Sequence, residues 1–249
     1  MSSKESLGHL HPLTQVTREI AKIWTELGFE LDFGPEKETE FYCFDGLNIP
    51  ADHPARDMQD TFWLKEPKSE SLVSDPASLT KSERPVLRTH TTSLTARNLE
   101  TERDNFPVRK IFPGKVFRNE ATDATHEAQF FQLDGMYVDK DVSLATLKGT
   151  LTHFYKKLLG DDVELRFRPS YFSFTEPSVE IDMKFKGKWL EMLGGGMIHP
   201  NVMKAAGVDH TKWRGFAFGG GIDRLIMIKY GIDDIRHLYS GDLRFVNQF

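Results

Sequence analysis

Residues 109–138 read RKIFPGKVFRNEATDATHEAQFFQLDGMYV. Two strand-like runs, Arg109 to Arg118 and Gln129 to Val138, flank the polar segment Asn119 to Ala128, which predicts a long-looped antiparallel hairpin. In the return strand Phe130, Gln132 and Asp134 are spaced by two, so they share one face of the sheet. Arg118 and Glu120 are spaced by two as well and are expected to leave the sheet on a common face. Taken alone, an Arg–Glu pair of this kind reads as a surface ion pair of little energetic weight. Its company changes that reading, because His126 follows on the loop. An arginine, an amide, an acid and an aromatic ring on one face are costly as core and natural as the floor of a pocket for a charged, partly aromatic ligand.

Outward from this hairpin, Leu13, Val16, Ile20, Ile23 and Leu27 repeat at three- and four-residue spacing, which predicts a helix from Pro12 to Leu27. Pro12 suits its first turn and Gly28 its stop. Phe29, Leu31 and Phe33 then alternate with acids, as in a half-buried strand closed by Pro35. A second helix is marked by Leu144, Leu147, Leu151, Phe154 and Leu158. Alternation returns at Val163, Leu165 and Phe167, and again at Val179, Ile181, Met183 and Phe185. Lys186-Gly187-Lys188 is a turn leading into Trp189 to Leu193. Strands joined by hairpins make an antiparallel β-sheet, and helices at the start, middle and end make the fold α+β, not a doubly wound parallel one. One catalytic-sized domain over residues 11–249 is expected, with residues 1–10 as a tail. The Ser-, Pro-, Glu- and Lys-rich stretch 66–85 is expected to be an exposed loop.

Two further segments bear on chemistry. Gly194-Gly195-Gly196 and the run from Gly215 to Leu225, which contains Gly219-Gly220-Gly221 and Arg224, place glycine-rich strand backbone before a helix carrying an arginine. Glycine runs are most often turns or bulges, and these match neither a phosphate loop nor a dinucleotide fingerprint. They suit a flat ligand lying against backbone. Leu87 to Ser93 clusters hydroxyls around His90, which reads equally as a helix cap or as ligand contact. His90, His126 and His199 sit on separate elements without metal-ligand spacing.

The chain has 249 residues, 39% of them hydrophobic and 28% charged, the balance of a chain that buries a core. No apolar stretch reaches the length of a membrane span, and residues 1–10 carry neither a signal-peptide core nor an Arg-rich presequence. With Cys43 as the single cysteine, intramolecular disulfides and multi-thiolate metal sites are excluded and a cytoplasmic location is expected. A net charge of −5 argues against general polyanion binding, though a local basic patch remains compatible with it.

These segments, in this order, resemble the class II aminoacyl-tRNA synthetases, and within them the alpha subunits of phenylalanyl-tRNA synthetase. The helix and strand ending at Pro35 are similar to that class's first motif, Phe117 to Glu120 with the return strand to its second, and Gly219 to Leu225 to its third. Asn48-Ile49-Pro50, His53-Pro54-Ala55-Arg56, Asp60-Thr61-Phe62-Trp63, Asp123-Ala124-Thr125-His126, Phe131-Gln132-Leu133-Asp134-Gly135 and Arg168-Pro169-Ser170-Tyr171-Phe172 are similar to signatures of the phenylalanine enzymes. The likeness starts near His11, so it covers the catalytic core without the family's N-terminal helical arm. Thr92, Ser93 and Thr95 stand where a Ser-Pro-x-Gln run is common, Ser173 where proline is common, and Asp134 and Asp223 where glutamate is. The threonine-rich stretch is similar to archaeal and eukaryotic members.

The resemblance implies activation of L-phenylalanine with ATP, with Mg2+, and transfer to tRNA(Phe). It implies that Arg118 holds the α-phosphate, Glu120 the adenine amino edge and Arg224 the γ-phosphate, while Phe130 stacks on adenine near His126. It places Trp63, His90, Thr92, Gln132 and Asp134 around the substrate ammonium. Phe172, Phe174, Thr175, Ala217 and Gly219 would shape the ring pocket, and Glu191 would be a magnesium ligand. A beta subunit in an αβ heterotetramer and an alpha–alpha contact are the implied partners. Two alternatives stay open, a synthetase-like ligase that modifies something other than tRNA and a non-catalytic paralogue. The resemblance sets Ala217 near the ring's para position, and an apolar site rejects an added hydroxyl by only about 10²-fold. Ala217→Gly should therefore admit para-substituted phenylalanines in amino-acid-dependent ATP–pyrophosphate exchange. Unchanged selectivity would remove Ala217 from that role.

Overall fold

Val16, Ile20, Ile23 and Trp24 form the buried stripe of helix α1 (Pro12–Glu26). His11 Nδ1 accepts from the Leu13 amide at 3.2 Å, Pro12 occupies the first turn, and Gly28 leaves the helix at φ +79°. The protein is described by a computed structural model over residues 8–56, 60–65 and 84–249.

After α1 the expected alternation fails. Phe29 is buried, with its ring 4.7 Å from Trp24, but Leu31 is 37% and Phe33 70% exposed. The reason is that β1 (Glu30–Leu31) is a two-residue edge strand, and only Phe29 still lies beneath α1. It pairs in parallel with β4 (Val108–Phe117), so the antiparallel sheet carries one parallel pair at its edge.

A small two-stranded sheet follows, β2 (Lys37–Thr39) with β3 (Pro85–Leu87), and between them in sequence lie the short helix α2 (Glu40–Cys43) and the 3-10 turns Asp45–Leu47 and Pro54–Arg56. Pro85 already pairs with Thr39, so the expected loop 66–85 ends before it; residues 66–83 lie outside the described residues. Helix α3 (Ser93–Thr101) leads into β4 and its hairpin partner β5 (Gln129–Asp139). The remaining elements are α4 (Leu144–Leu159), β6 (Leu165–Phe172), β7 (Thr175–Phe185), β8 (Lys188–Ile198), α5 (Pro200–Ala205), β9 (Arg214–Gly221), α6 (Ile222–Tyr230), the 3-10 turn Ile235–Leu238 and α7 (Leu243–Val246). Among the described residues the large sheet has seven strands in the order β1-β4-β5-β9-β8-β7-β6.

Each face of this sheet has its own cluster. On one, Ile111, Leu133, Val179, Ile181, Met183 and Phe218 pack beneath α1, α4 and α6. The Phe218 ring stacks on Trp24 at 4.7 Å, and Trp24 on Phe154 at 4.9 Å, so one aromatic column joins sheet, first helix and middle helix. On the other face, Phe112, Met136 and Ala217 pack with Phe44, Leu94 and Leu99 and with Val202 and Met203 of α5. This second cluster covers only one end, and the rest of the face carries the polar alternates of the same strands.

The hairpin differs from expectation at its tip. Strand β4 ends at Phe117, so Arg118 and Glu120 follow in irregular backbone, where the period-two argument for a shared face does not apply. The turn between β7 and β8 is Lys186-Gly187, both at positive φ (47° and 77°), as two-residue hairpins favour. The glycine triplet is not a turn, because it runs through the interior of β8. At Gly196 a Cβ would lie 2.3 Å from the Pro177 carbonyl oxygen and 2.8 Å from Thr175 Cβ. Gly196→Ala must displace backbone and should cost about 1–3 kcal/mol, read as a lowered denaturation midpoint. A midpoint equal to the parent's would show that the β7–β8 pair yields there without strain.

Candidate functional site

The open part of the second face is the floor of a cavity of about 790 Å³. Strand β5 supplies Phe130, Gln132 and Asp134 as one row, as their spacing predicts, and Ala217, Gly219 and Gly194 continue the floor on β9 and β8. The hairpin tip brings Arg118, Glu120 and His126 to one side, and Arg224 at the start of α6 stands beside Glu191 of β8. His90 and Thr92, just before α3, close another side, and Phe172 and Phe174 close one end. Residues from distant parts of the chain thus share one cavity.

Two of the expected residues are not on its wall. Thr175 is buried behind Gly196, with its Oγ1 2.8 Å from Ser178 Oγ. Trp63 bridges to Val86, with its ring 6.1 Å from Phe44 and the Arg84 guanidinium 3.7 Å above it. Both stand one layer behind the residues that face the space.

The arginines are held by backbone carbonyls. Arg118 Nε donates to Thr89 O at 3.2 Å, its guanidinium is 5.0 Å from the Phe130 ring centre, and Nη1 is 4.0 Å from Glu120 Oε1. Burial draws its pKa down from the ordinary guanidinium value. Arg224 Nη1 donates to Glu191 O at 2.6 Å. Beside it, Asp223 accepts from the Phe131 amide at 2.6 Å and from the Tyr239 hydroxyl at 2.5 Å, which fastens the first turn of α6 to β5. Burial pushes the Asp223 carboxyl up.

Asp134 is the most constrained group. Its carboxylate lies directly over Gly219, where a Cβ would come within 2.5 Å of its Cγ. Oδ2 accepts from the Thr92 hydroxyl, while Oδ1 is buried without a hydrogen bond. Burial pushes its pKa up to about 6, against the Thr92 hydrogen bond and the charges of Arg118 and Arg88. The helix-cap reading of the Leu87–Ser93 hydroxyls is not met at Thr92, whose side chain makes no cap bond to α3. His90 is pushed down to about 4, first by burial and then by the Arg118 charge, so its imidazole is neutral near pH 7.

His126 belongs to a self-contained turn. Its Nδ1 lies 3.0 Å from both oxygens of Asp123, which also accepts from the Thr125 amide at 2.6 Å and the His126 amide at 2.9 Å. These bonds, that from the Thr125 backbone foremost, hold the Asp123 carboxyl below the usual range. His199 instead accepts from the Asn201 amide at 3.0 Å and caps α5. Among the described residues no group of three His, Cys, Asp or Glu side chains is placed to hold a metal ion.

Sequence reading missed one constellation on this face. Asp182, nearly buried, accepts from Arg166 Nη2 and Arg168 Nε, both at 2.6 Å, and Arg168 Nη2 reaches Glu180 at 2.7 Å. The signal was there in the polar alternates of Val179, Ile181 and Met183. It also missed an apolar extension of the cavity lined by Leu190, Met227, Ile228 and Ile232, whose residues read as ordinary helix and strand positions. Chemically, the cavity can hold an anion between guanidinium groups, a cation against Asp134 and a ring against the stacked Phe172–Phe174 pair.

A seven-stranded, mostly antiparallel sheet with such a face is the architecture of one synthetase class. A family model described as the core domain of class II tRNA synthetases (F) matches residues 2–249, and the chain belongs to that family. It is 47% identical over 258 residues to the phenylalanine–tRNA ligase alpha subunit of Macrococcus caseolyticus, an overlap of 99% of this chain and 68% of that protein. It is 46% identical over 251 residues to the alpha subunits of the same name from Bacillus cytotoxicus and Bacillus cereus, covering 96% of this chain and 68% of each. These relatives are bacterial, although the threonine-rich stretch at 92–95 pointed toward archaeal and eukaryotic members.

The raised pKa of Asp134 has a measurable consequence. Its folded form binds a proton more tightly than the unfolded chain does, so this contribution is full below the unfolded pKa and is lost as pH rises through about 6. At about pH 8 the charged group then weakens the unliganded fold by about 3 kcal/mol. Asp134→Asn should raise the denaturation midpoint at about pH 8, and the gap should close toward about pH 4. A variant less stable than the parent at the higher pH would contradict this.

Proposed function

We propose that this chain activates L-phenylalanine with ATP to the aminoacyl-adenylate and transfers it to the 3′ end of tRNA(Phe), working as an alpha subunit with a beta subunit. The observation that carries this reading is the single cavity that runs from the stacked Phe172–Phe174 pair, past Asp134, to Arg118 and Arg224. Its polar and aromatic groups are in the sequence a phenylalanine joined to a nucleotide would need. The names of the relatives supply the same substrate and the same subunit.

In this reading the ring of phenylalanine rests on Phe172 and Phe174, with Ala217 and Gly219 beneath, and its ammonium meets Asp134 Oδ1, whose lack of a hydrogen bond is then made good. His90, Thr92 and Gln132 complete that end with Trp63 behind them, and Thr175 supports the ring pocket from behind Gly196. Neutral His90 adds no repulsion to the incoming cation. Phe130 stacks on adenine, Glu120 accepts from its amino edge, His126 lies over it, and Arg224 takes the γ-phosphate.

The chemistry needs no protein nucleophile. A carboxylate oxygen of phenylalanine attacks the α-phosphorus, an O–P bond forms, and the bond from that phosphorus to the bridging oxygen breaks to release pyrophosphate. Arg118 holds the α-phosphate, stabilises the charge that gathers there and aligns the two reactants, tasks for which a planar fork is better suited than lysine. The terminal ribose hydroxyl of the tRNA then attacks the acyl carbon and AMP departs.

Glu191 offers one exposed carboxylate beside Arg224, while both oxygens of nearby Asp182 already accept from arginines. That donor set fits Mg2+ bound by one protein carboxylate together with phosphate oxygens, not a protein cage. When bound, the ion would neutralise phosphate charge and Glu191 would hold it.

The exposed Leu31 and Phe33 at the sheet edge supply an apolar surface for a subunit contact, alpha to alpha or within an αβ heterotetramer. Among the described residues no helix is long and apolar enough to cross a membrane, and Cys43 is buried as a free thiol, which supports a cytoplasmic setting.

The test is phenylalanine-dependent ATP–pyrophosphate exchange with and without a beta subunit, followed by tRNA charging. Exchange without charging would favour a ligase with another acceptor. Arg118→Ala should lower exchange by about 10²-fold or more with the fold intact by circular dichroism. Normal exchange in that variant would refute its role.

A further inference from the structure

The signature Asn48-Ile49-Pro50 finds no place in the chemistry above, yet its first residue reaches the ring pocket from outside. Asn48 ends the 3-10 turn Asp45–Leu47 in the left-handed region, at φ 56° and ψ 27°. Few non-glycine residues hold that conformation, and asparagine is among those that do. From there its Nδ2 donates to Ser173 O at 2.7 Å, and its Oδ1 accepts from Asn201 Nδ2 at 3.2 Å. Ser173 is the residue between Phe172 and Phe174, whose rings stack at 5.7 Å with 17° between planes.

The bond is to the backbone, so it survives whether the residue between the two phenylalanines is serine or proline. Across the same hairpin end, the His199 amide donates to Phe174 O at 2.9 Å. The turn that carries Asn48 is fixed in its own right by Arg56, which pairs with Asp45 at 2.7 Å, reaches Ile49 O, and lies 5.0 Å over the Phe44 ring. Signature segments 48–50, 53–56 and 168–172 thus join in one bracket behind the aromatic pair. On the cavity side, Phe172 has no side chain to push against, because it lies over Gly194, where a Cβ would come within 2.5 Å of its ring.

We infer that Asn48 is a positioning residue for amino-acid selection, one that sets the height of the Phe172–Phe174 pair over the glycine floor by holding the Ser173 carbonyl from behind. This rests on the proposed function, since the ligand it gauges is the aromatic ring of the substrate. A pair that rises widens the slot, which weakens contact with phenylalanine and relaxes exclusion of a para-hydroxyl.

Asn48→Gly keeps the left-handed backbone and deletes the side-chain bond, and Asn48→Asp keeps the shape and replaces the donor with an acceptor. With the beta subunit present, both should raise the KM for phenylalanine by about tenfold in pyrophosphate exchange, leave the KM for ATP unchanged and lower discrimination against tyrosine. A purely structural role would instead shift the melting temperature and move both KM values together. A crystal structure of Asn48→Gly should show the Phe172–Phe174 pair displaced from Gly194. Unchanged KM and selectivity, or an unmoved pair, overturns the inference. Should Asn48→Gly fail to fold, Asn201→Ala removes only the brace on Asn48 Oδ1 and must give a weaker change of the same kind. If the parent protein shows no exchange, the functional reading fails, while displacement of the aromatic pair still decides the bracket.

Discussion

Asp134 and Gly219 face each other across β5 and β9 so closely that no side chain fits at position 219. The rest of the site depends on that contact. A carboxylate laid flat on glycine backbone loses water on one side, and the Thr92 hydroxyl donates to it on another. The same absence of side chains continues at Gly194, where the Phe172 ring comes down, and at Gly196, where β7 backbone does. The central strands therefore act as a bare platform, and chemistry is brought to it from the periphery by α3, α6, the β4–β5 tip and the β6–β7 hairpin.

The opposite face explains why such a platform stays in register. Gly135 and Gly195 lie beneath the Phe218 side chain, whose ring stacks on Trp24 and through it on Phe154. Glycine on both faces of the adjoining strands β8 and β9 would leave a loosely specified sheet, since register is set where side chains interlock. The aromatic column supplies that interlock, and Asp223 adds a polar one by tying α6 to the Phe131 amide. Helix α6 can then present Arg224 at a fixed place.

Much of this was legible in the residues. The period of α1 and α4, the row of Phe130, Gln132 and Asp134, and the Lys186-Gly187 turn follow from local rules, because each depends on neighbours close in sequence. What escaped is non-local. Phe33 obeys a strand's alternation yet lies exposed, because β1 stops after two residues at a sheet edge. The glycine runs read as strand backbone open to a flat ligand, but only strand pairing shows that Phe172, Asp134 and the β7 backbone lie over them. The Asp182–Arg168 network was hidden for the same reason, since only the β6–β7 register brings these side chains together. Roles for the arginines came from family resemblance, and the geometry supplies their shared cavity.

The turn around His126 bears on how this side of the cavity would meet the nucleotide of the proposed reaction. Asp123 collects the amides of Thr125 and His126, and the Ile235 amide holds Ala124 O at 2.9 Å, so the hairpin tip takes its shape from the protein's own bonds. A segment already ordered by its own bonds surrenders little conformational freedom when a guest arrives. In the proposed reading, affinity on this side is drawn from contacts with a preformed surface and not from folding one around the guest. Under that reading, loosening Asp123 would weaken capture even though its carboxylate bonds only within its own loop.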